Sequence, residues 1–468
     1  MRLFLILTIL TWLPAAAGAT TAAEVGGCAG TVPERVLTAD PGDYRTVLDT
    51  LEPGDLLQLA AGTYTQGLPF FEHHGEENRC IIVEGPEAGG AVFLGRDCCN
   101  TVSITDSSYL VIRNLELDGD GRFGDAVKAE GTSQLAHHIT LENLSIHDHD
   151  VDQQVVGIST KCPAWNWVIR RNVITTTGTG LYLGNSDGED EFVNGLVEHN
   201  LVYDTIGYNM QIKHQNGRST GLGMPASGVT VIRHNVFSKA ANGSSGASAR
   251  PNLLIGHRPL SGDGSDDDTL IYGNFFHQNP NEALFQGEGH LIFHDNLLVN
   301  DFGAAVHVQA HNDVPKRVRV FGNTVVASGT TVSISGGDPS FEQRLAGNAL
   351  FGDPPSGGVQ VDNTAGTYGG ATSFLVNPFG VLTGGSNRLD LSPLGTALDA
   401  SVDTTNITGF EDGDLDFDGT PRSQSVRGAY VGPAAWLPAI ERKPESTTEI
   451  FTDGFESGNL SAWSSTTP

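Results

Sequence analysis

TVIRHNVF, residues Thr230 to Phe237, decides the fold. An Asn stands inside a short β-branched and aromatic run, a position that strand preference alone does not favour. The same arrangement recurs in LVIRNLEL (110–117), ITLENLSI (139–146), WVIRRNVI (167–174), GLVEHNLV (195–202), LIYGNFF, LIFHDNLLV, VRVFGNTVV and LAGNALF. It places Asn114, Asn143, Asn172, Asn200, Asn235, Asn274, Asn296, Asn323 and Asn348 at spacings of 29, 29, 28, 35, 39, 22, 27 and 25. Copies at such a variable period describe the coils of a parallel β-helix with loops of unequal length. Coils stack about 4.8 Å apart, so each Asn amide meets the next and can bond to it as an internal ladder. All nine are expected to be structural. The fold class is all-β, a right-handed parallel β-helix with an Asn ladder and an N-terminal cap.

Each coil carries a second strand: DAVKAE, VVGISTK, GLYLGN, NMQIKHQ, NLLIGHR, ALFQGEG, AVHVQAH and TVSISGG. Alternation makes two inward columns. The first is Val156, Leu181, Met210, Leu253, Leu284, Val306 and Val332; the second is Ile158, Leu183, Ile212, Ile255, Gln286, Val308 and Ile334. Outward, Lys213 stands level with Gly256, Gly287 and Gln309, while His214 stacks under His257 and Glu288. Gln215, Arg258, Gly289 and His311 follow one position on, and Tyr182, Gln211 and His307 precede Lys213. Polar and basic groups are therefore expected to converge on one face, beside glycines that open a trough.

Composition bounds the partner. Lys and Arg total 26 against 55 Asp and Glu, a formal charge of −29, which argues against nucleic acid or an anionic membrane. An anionic substrate then needs a local basic patch such as the one around Lys213. The first residues, MRLFLILTILTWLPAAAGA, join Arg2 to an apolar run and a small-residue end at Ala17-Gly18-Ala19. This is the pattern of a secretory signal peptide, residues 1–19. The expected location is secreted or periplasmic, or the cell surface of a Gram-negative bacterium, and the expected state is a monomer without a transmembrane segment. Cys28, Cys80, Cys98, Cys99 and Cys162 then allow one or two bridges in the N-terminal region and leave at least one free thiol.

Residues 33–106 read as cap and first coils, with DYRTVLDTL supplying Tyr44, Val47, Leu48 and Leu51 at helical spacing for a capping helix. The helical core spans 107–363, C-terminal coils and a cap span 364–439, and a linker and tag span 440–468. Asp412, Asp414, Asp416 and Asp418 alternate without the Glu that closes an EF-hand, so a solvated turn is expected. The runs HDHDVD (147–152) and GSDDDT are read the same way, although a loop could gather the former around a metal.

PGDLLQLAAGTYT, IIVEGP and YLVIRNLELDG resemble the N-terminal part of secreted right-handed β-helix proteins. These include the polysaccharide lyases of the chondroitinase B and alginate lyase family. The resemblance implies a Lys base on one coil, an Arg on the next and a calcium ion held by acidic residues shortly before the Lys. Lys213 in QIKHQN matches the Lys. The Arg position falls in LLIGHRP, where Arg258 follows His257 rather than preceding it. Ile206, Tyr208 and Gln211 precede Lys213 with no Glu pair, so the family-type calcium site is not matched and the cofactor stays unassigned.

The substrate this implies is an acidic polysaccharide. A base must take the proton next to a carboxylate while a cation neutralises that carboxylate. The sequence assigns Lys213 as base, Arg258 as carboxylate clamp, and His257 or His307 as proton donor. Tyr182, Gln211, His214, Glu288, Gln309 and His311 are expected to bind substrate. A hydrolase needs two facing carboxyl groups, and Glu288 and Asp313 are the candidates on this face. A metal held by His257, Glu288 and His307 is a further arrangement to test. A noncatalytic glycan-binding protein is the alternative function, with Tyr182, Tyr208 and Phe285 as stacking platforms.

Overall fold

A computed structural model describes residues 20–131, 135–422 and 425–445. The expected signal peptide and most of the terminal tag lie outside the described residues. Three parallel sheets run from Arg35 to Gly366, with 15, 12 and 10 strands among the described residues. One coil shows the circuit: Leu196–Glu198 in the first sheet, Leu201–Tyr203 in the second, Met210–Ile212 in the third, then Thr230–Arg233 back in the first. Strands of consecutive coils pair in parallel, Leu196 with Val231 and Met210 with Leu253. This is the parallel β-helix.

The ladder is present, with its membership corrected. Asn172, Asn200, Asn235, Asn274, Asn296, Asn323, Asn348 and Asn363 are linked in succession, each Nδ2 donating to the next Oδ1 at 2.8–3.0 Å. Each Oδ1 also accepts the backbone N–H of the preceding rung, as from Asn172 to Asn200 at 3.0 Å. Asn114 and Asn143 stand outside it, at φ 59° and 53°. They occupy the left-handed position just before the rung, where Arg171, His199 and His234 sit in later coils. Leu115 and Leu144, both buried, take the rung itself. Asn favours the left-handed region as well as amide stacking, so the sequence pattern merged two adjacent roles.

Register in the third sheet also departs from expectation at two places. Val156 pairs with Thr179, and Ile158 with Leu181, so Ile158 heads the first inward column. That slip of two residues keeps the inward face inward. Further on, Leu253 pairs with Phe285 and Ile255 with Gly287. This slip of one exchanges faces: Phe285 enters the core and Gln286 points outward. Leu284 is buried just ahead of the strand.

At the N-terminal end the helix Tyr44–Leu48 caps the stack with Tyr44 and Leu48 fully buried. Tyr44 packs edge-on to Tyr64 at 5.0 Å and donates its hydroxyl to the Gly67 carbonyl at 2.7 Å. Disulfides join Cys28 to Cys80 and Cys98 to Cys99, and Cys162 is a buried free thiol. Beyond Gly366 the chain forms a hairpin, Leu375–Asn377 with Asp390–Pro393, and then an irregular strap against the first two sheets. Asp416 is buried within it rather than solvated. Its carboxylate accepts the N–H groups of Asp418, Thr420 and Val431 at 3.0, 2.8 and 3.0 Å. No described helix is long and apolar enough to cross a membrane.

Candidate active site

Strand Met210–Ile212 ends at Lys213 in the third sheet, and the glycines around it set its surroundings. Gly184 stands one coil below at φ 92°, where a Cβ would lie 3.1 Å from Lys213 Cβ. Gly256 stands one coil above, where a Cβ would meet the His214 backbone N at 2.3 Å. Backbone therefore flanks the Lys213 stem, and a groove of about 330 Å³ opens beside it. Corrected register places Glu288 and Gln309 in the Lys213 column, because Gly287 pairs with Ile255 and Val308.

The groove gathers Gln211, Lys213, His214, Glu288, Gln309 and His311 of the expected residues. Lys213 is half-buried, and its ammonium makes no hydrogen bond or ion pair to any described residue. Burial pushes its pKa below the ordinary lysine value, Arg250 adds to that effect and Glu288 opposes it. Burial likewise lowers His214, helped by His257, whose ring lies 5.3 Å away, and by Lys213. Tyr182 donates to or accepts from Ser186 at 2.6 Å, and Lys213 Nζ lies 5.8 Å from its ring centroid. A second lysine, Lys161, sits 3.5 Å from that centroid and is pushed down to about 8 by burial.

Arg258 does not reach this groove. It is 3% exposed, and its guanidinium donates to the Phe192 carbonyl at 3.3 Å and Thr269 Oγ1 at 2.7 Å. Burial pushes its pKa down to about 10, with Arg218 acting in the same direction. The assigned carboxylate clamp is thus an interior group. Register between this coil and the Lys213 coil is as expected, Ile212 opposite Ile255. Arg258 lies three residues beyond the strand end at Ile255, where strand alternation no longer fixes which way a side chain points.

His257 is also buried, with Nδ1 bonded to the Arg258 backbone O at 2.7 Å. His307 is half-buried in the outward column next to Gln286, and burial lowers its pKa.

Glu288 is 2% exposed, and its Oε2 accepts the backbone N–H groups of His311, Asn312 and Asp313 at 3.0, 2.8 and 2.9 Å. It builds the turn that forms one groove wall. Asp313 pairs with Lys316 at 3.0 Å. Both carboxyl groups are thus engaged within the protein, Glu288 by backbone amides and Asp313 by Lys316. Phe285, expected as a stacking platform, is fully buried.

Sequence reading missed Arg250. It lines the groove, with its guanidinium 5.7 Å from the Tyr208 ring centroid and Nη1 donating to the Ala247 and Ala249 carbonyls at 3.0 and 2.7 Å. The signal was the Arg-Pro pair that opens strand Leu253–Ile255, since Pro251 restricts Arg250 to extended backbone. Tyr208 shares the wall, and burial raises its phenol pKa. Tyr208 comes from the turn 205–208, whose Thr205, Ile206 and Gly207 carbonyls receive the buried Lys239 ammonium.

On the second sheet, Asp118, His147 and Asp148 bring ligand atoms within 4.8 Å of one another. His147 is already engaged on both ring nitrogens, by Asp148 at 2.9 Å and Glu116 at 3.3 Å.

No protein-family model matches the chain, and no characterised protein matches it by sequence. Solved structures resemble it in fold. An alginate lyase from Paenibacillus sp. is 13% identical, with TM-score 0.39, covering 71% of this chain and 99% of its own. The pectate lyase Pel9A is 12% identical, with TM-score 0.41, covering 88% and 98%. A lacto-N-biosidase from Eubacterium ramulus is 12% identical, with TM-score 0.44, covering 71% and 68%.

Proposed function

We propose that the protein cleaves an acidic polysaccharide by β-elimination, with Lys213 as base and Arg250 as the cation that receives the uronate carboxylate. The observation that carries this reading is a half-buried lysine of lowered pKa, whose ammonium makes no hydrogen bond or ion pair to a described residue, in a groove that also holds an arginine. Lys213 in its amine form takes the proton next to the carboxylate. Arg250 balances the charge that develops on the carboxylate oxygens, where a planar guanidinium can donate twice. Tyr208, kept as a phenol by burial, is assigned to protonate the leaving oxygen. The elimination leaves a double bond in the sugar and a new chain end.

A disulfide between Cys28 and Cys80 is consistent with an oxidising compartment, which supports export. Calcium is not assigned: of the two groove carboxylates, Glu282 and Glu288, the latter is occupied by backbone amides. The purified protein, incubated with a panel of uronate polysaccharides, is expected to generate the ultraviolet absorbance of an unsaturated product. Binding of a polymer without that absorbance would replace the lyase reading with the glycan-binding one.

A further inference from the structure

A buried charged cluster on the first sheet takes no part in the groove chemistry. Arg233 pairs with Glu198 and with Glu411 of the C-terminal strap, both at 2.8 Å, and lies 3.8 Å from Asp412. Tyr272 places its hydroxyl 2.8 Å from Asp412 and 3.1 Å from Glu411. Arg233 is 8% exposed and Glu411 9%. Three carboxylates thus share one described guanidinium, and a cluster held away from water is costly while its charge is unbalanced.

Thr20 meets this cluster directly. Its backbone nitrogen lies 2.7 Å from Glu411 Oε1 and its hydroxyl 2.6 Å from Oε2. Thr20 is also the residue that follows Ala17-Gly18-Ala19, the small-residue end of the apolar leader. From the next residue the chain is committed to the fold. Thr21 Oγ1 accepts the Glu24 N–H at 3.2 Å at the start of the helix Ala22–Gly26, Val25 is buried, and Cys28 is bonded to Cys80.

We propose that the Ala19–Thr20 bond is a processing site, and that the α-ammonium released there docks on Glu411 to complete the Arg233 cluster. A protease that removes secretory leaders supplies the catalysis. Water adds at the Ala19 carbonyl and the C–N bond breaks. Ala19 leaves with a new carboxylate, and the Thr20 amine takes up a proton. Before cleavage the Thr20 backbone nitrogen offers Glu411 one neutral N–H beside the hydroxyl bond. Afterwards it offers a positive charge and three donors, and charge-assisted bonds are roughly twice as strong as neutral ones. Processing of the N-terminus thereby fastens the C-terminal strap to the solenoid.

The test exports the full chain into a bacterial periplasm, reads the mature N-terminus by intact mass, and titrates its α-amino group by NMR after isotope-labelled reductive methylation. The chain is expected to begin at Thr20, with its amine raised above the ordinary value of about 7.7–8.0. Glu198, Arg233, Tyr272, Asp412 and Glu24 surround the pair, so Glu411→Gln isolates the partner and should return the amine to the ordinary range. A chain carrying one extra glycine before Thr20 keeps Glu411 and Arg233 intact and should melt at a lower temperature than the processed protein. A mature chain beginning elsewhere, an amine unmoved by Glu411→Gln, or equal melting of the extended chain would each overturn the proposal.

Discussion

At the residue scale, Lys213 and Arg250 differ from their neighbours in having room to act. Lys213→Ala should lower kcat/KM on a uronate polymer by roughly a hundredfold to ten-thousandfold, the usual range for a general base. Folding should be unchanged, because the ammonium makes no described bond. Arg250→Lys loses the two-donor grip and should cost about 1.5–3 kcal/mol of transition-state binding, or roughly tenfold to a hundredfold. Arg258→Lys separates the two arginines. It should reduce stability by about 1–3 kcal/mol through orphaned buried partners, with kcat/KM per folded molecule intact. Loss of turnover without loss of stability in Arg258→Lys would restore the assignment made from sequence. The pH profile carries the same logic. Only unprotonated Lys213 can act, so kcat/KM should rise with pH and level off above a midpoint below the ordinary lysine value of about 10.4.

Elements fix these residues through bonds that do not touch substrate. Asn235 accepts from Asn200 at 2.9 and 3.0 Å and donates to the Val197 and Arg233 carbonyls, each at 2.9 Å. Asn235→Ala should leave several buried groups unpaired and lower stability by about 3 kcal/mol or more, read as a fall in the denaturant midpoint. Asn143→Ala, outside the ladder and exposed, should cost far less. A similar loss in both variants would contradict the corrected membership. Lys239→Met strips the donor from the Thr205, Ile206 and Gly207 carbonyls. Amides of that turn should exchange faster, and Tyr208, which the turn carries into the groove, should lose its fixed position.

On the scale of the whole molecule, coils contact mainly their neighbours, so stability is close to a sum of local terms. The Cys28–Cys80 bond closes a separation of 52 residues and fastens the N-terminal segment to the first coils. Replacing both cysteines by Ser should cost roughly 2–4 kcal/mol, confined to that end. An early unfolding transition should appear while the transition of the groove coils stays in place. A uniform shift of every transition would mean that the solenoid unfolds as one unit. The strap extends cohesion along the other direction, since Arg422 pairs with Asp295 and Arg344 with Asp403.

Sequence by itself determined the parallel β-helix, because a recurring Asn among β-branched residues has one economical explanation in stacked coils. It also determined the face carrying Lys213, since strand alternation is a local property. The ladder's true rungs, the face of Gln286 and the interior place of Arg258 were decided only in the tertiary structure. The first two depend on register, where a slip of one residue reverses inside and outside without changing the local pattern, and Arg258 lies beyond the end of its strand, where alternation no longer holds. Arg250 was missed for a related reason, since the Arg-Pro pair marks extended backbone but not the groove it reaches. It belongs to a loop, and no period governs where a loop returns to the sheet. The strap was hidden too: Asp416 read as part of a solvated turn but is buried, and the pairs of Glu411, Arg422 and Asp403 with Arg233, Asp295 and Arg344 join residues far apart in the chain.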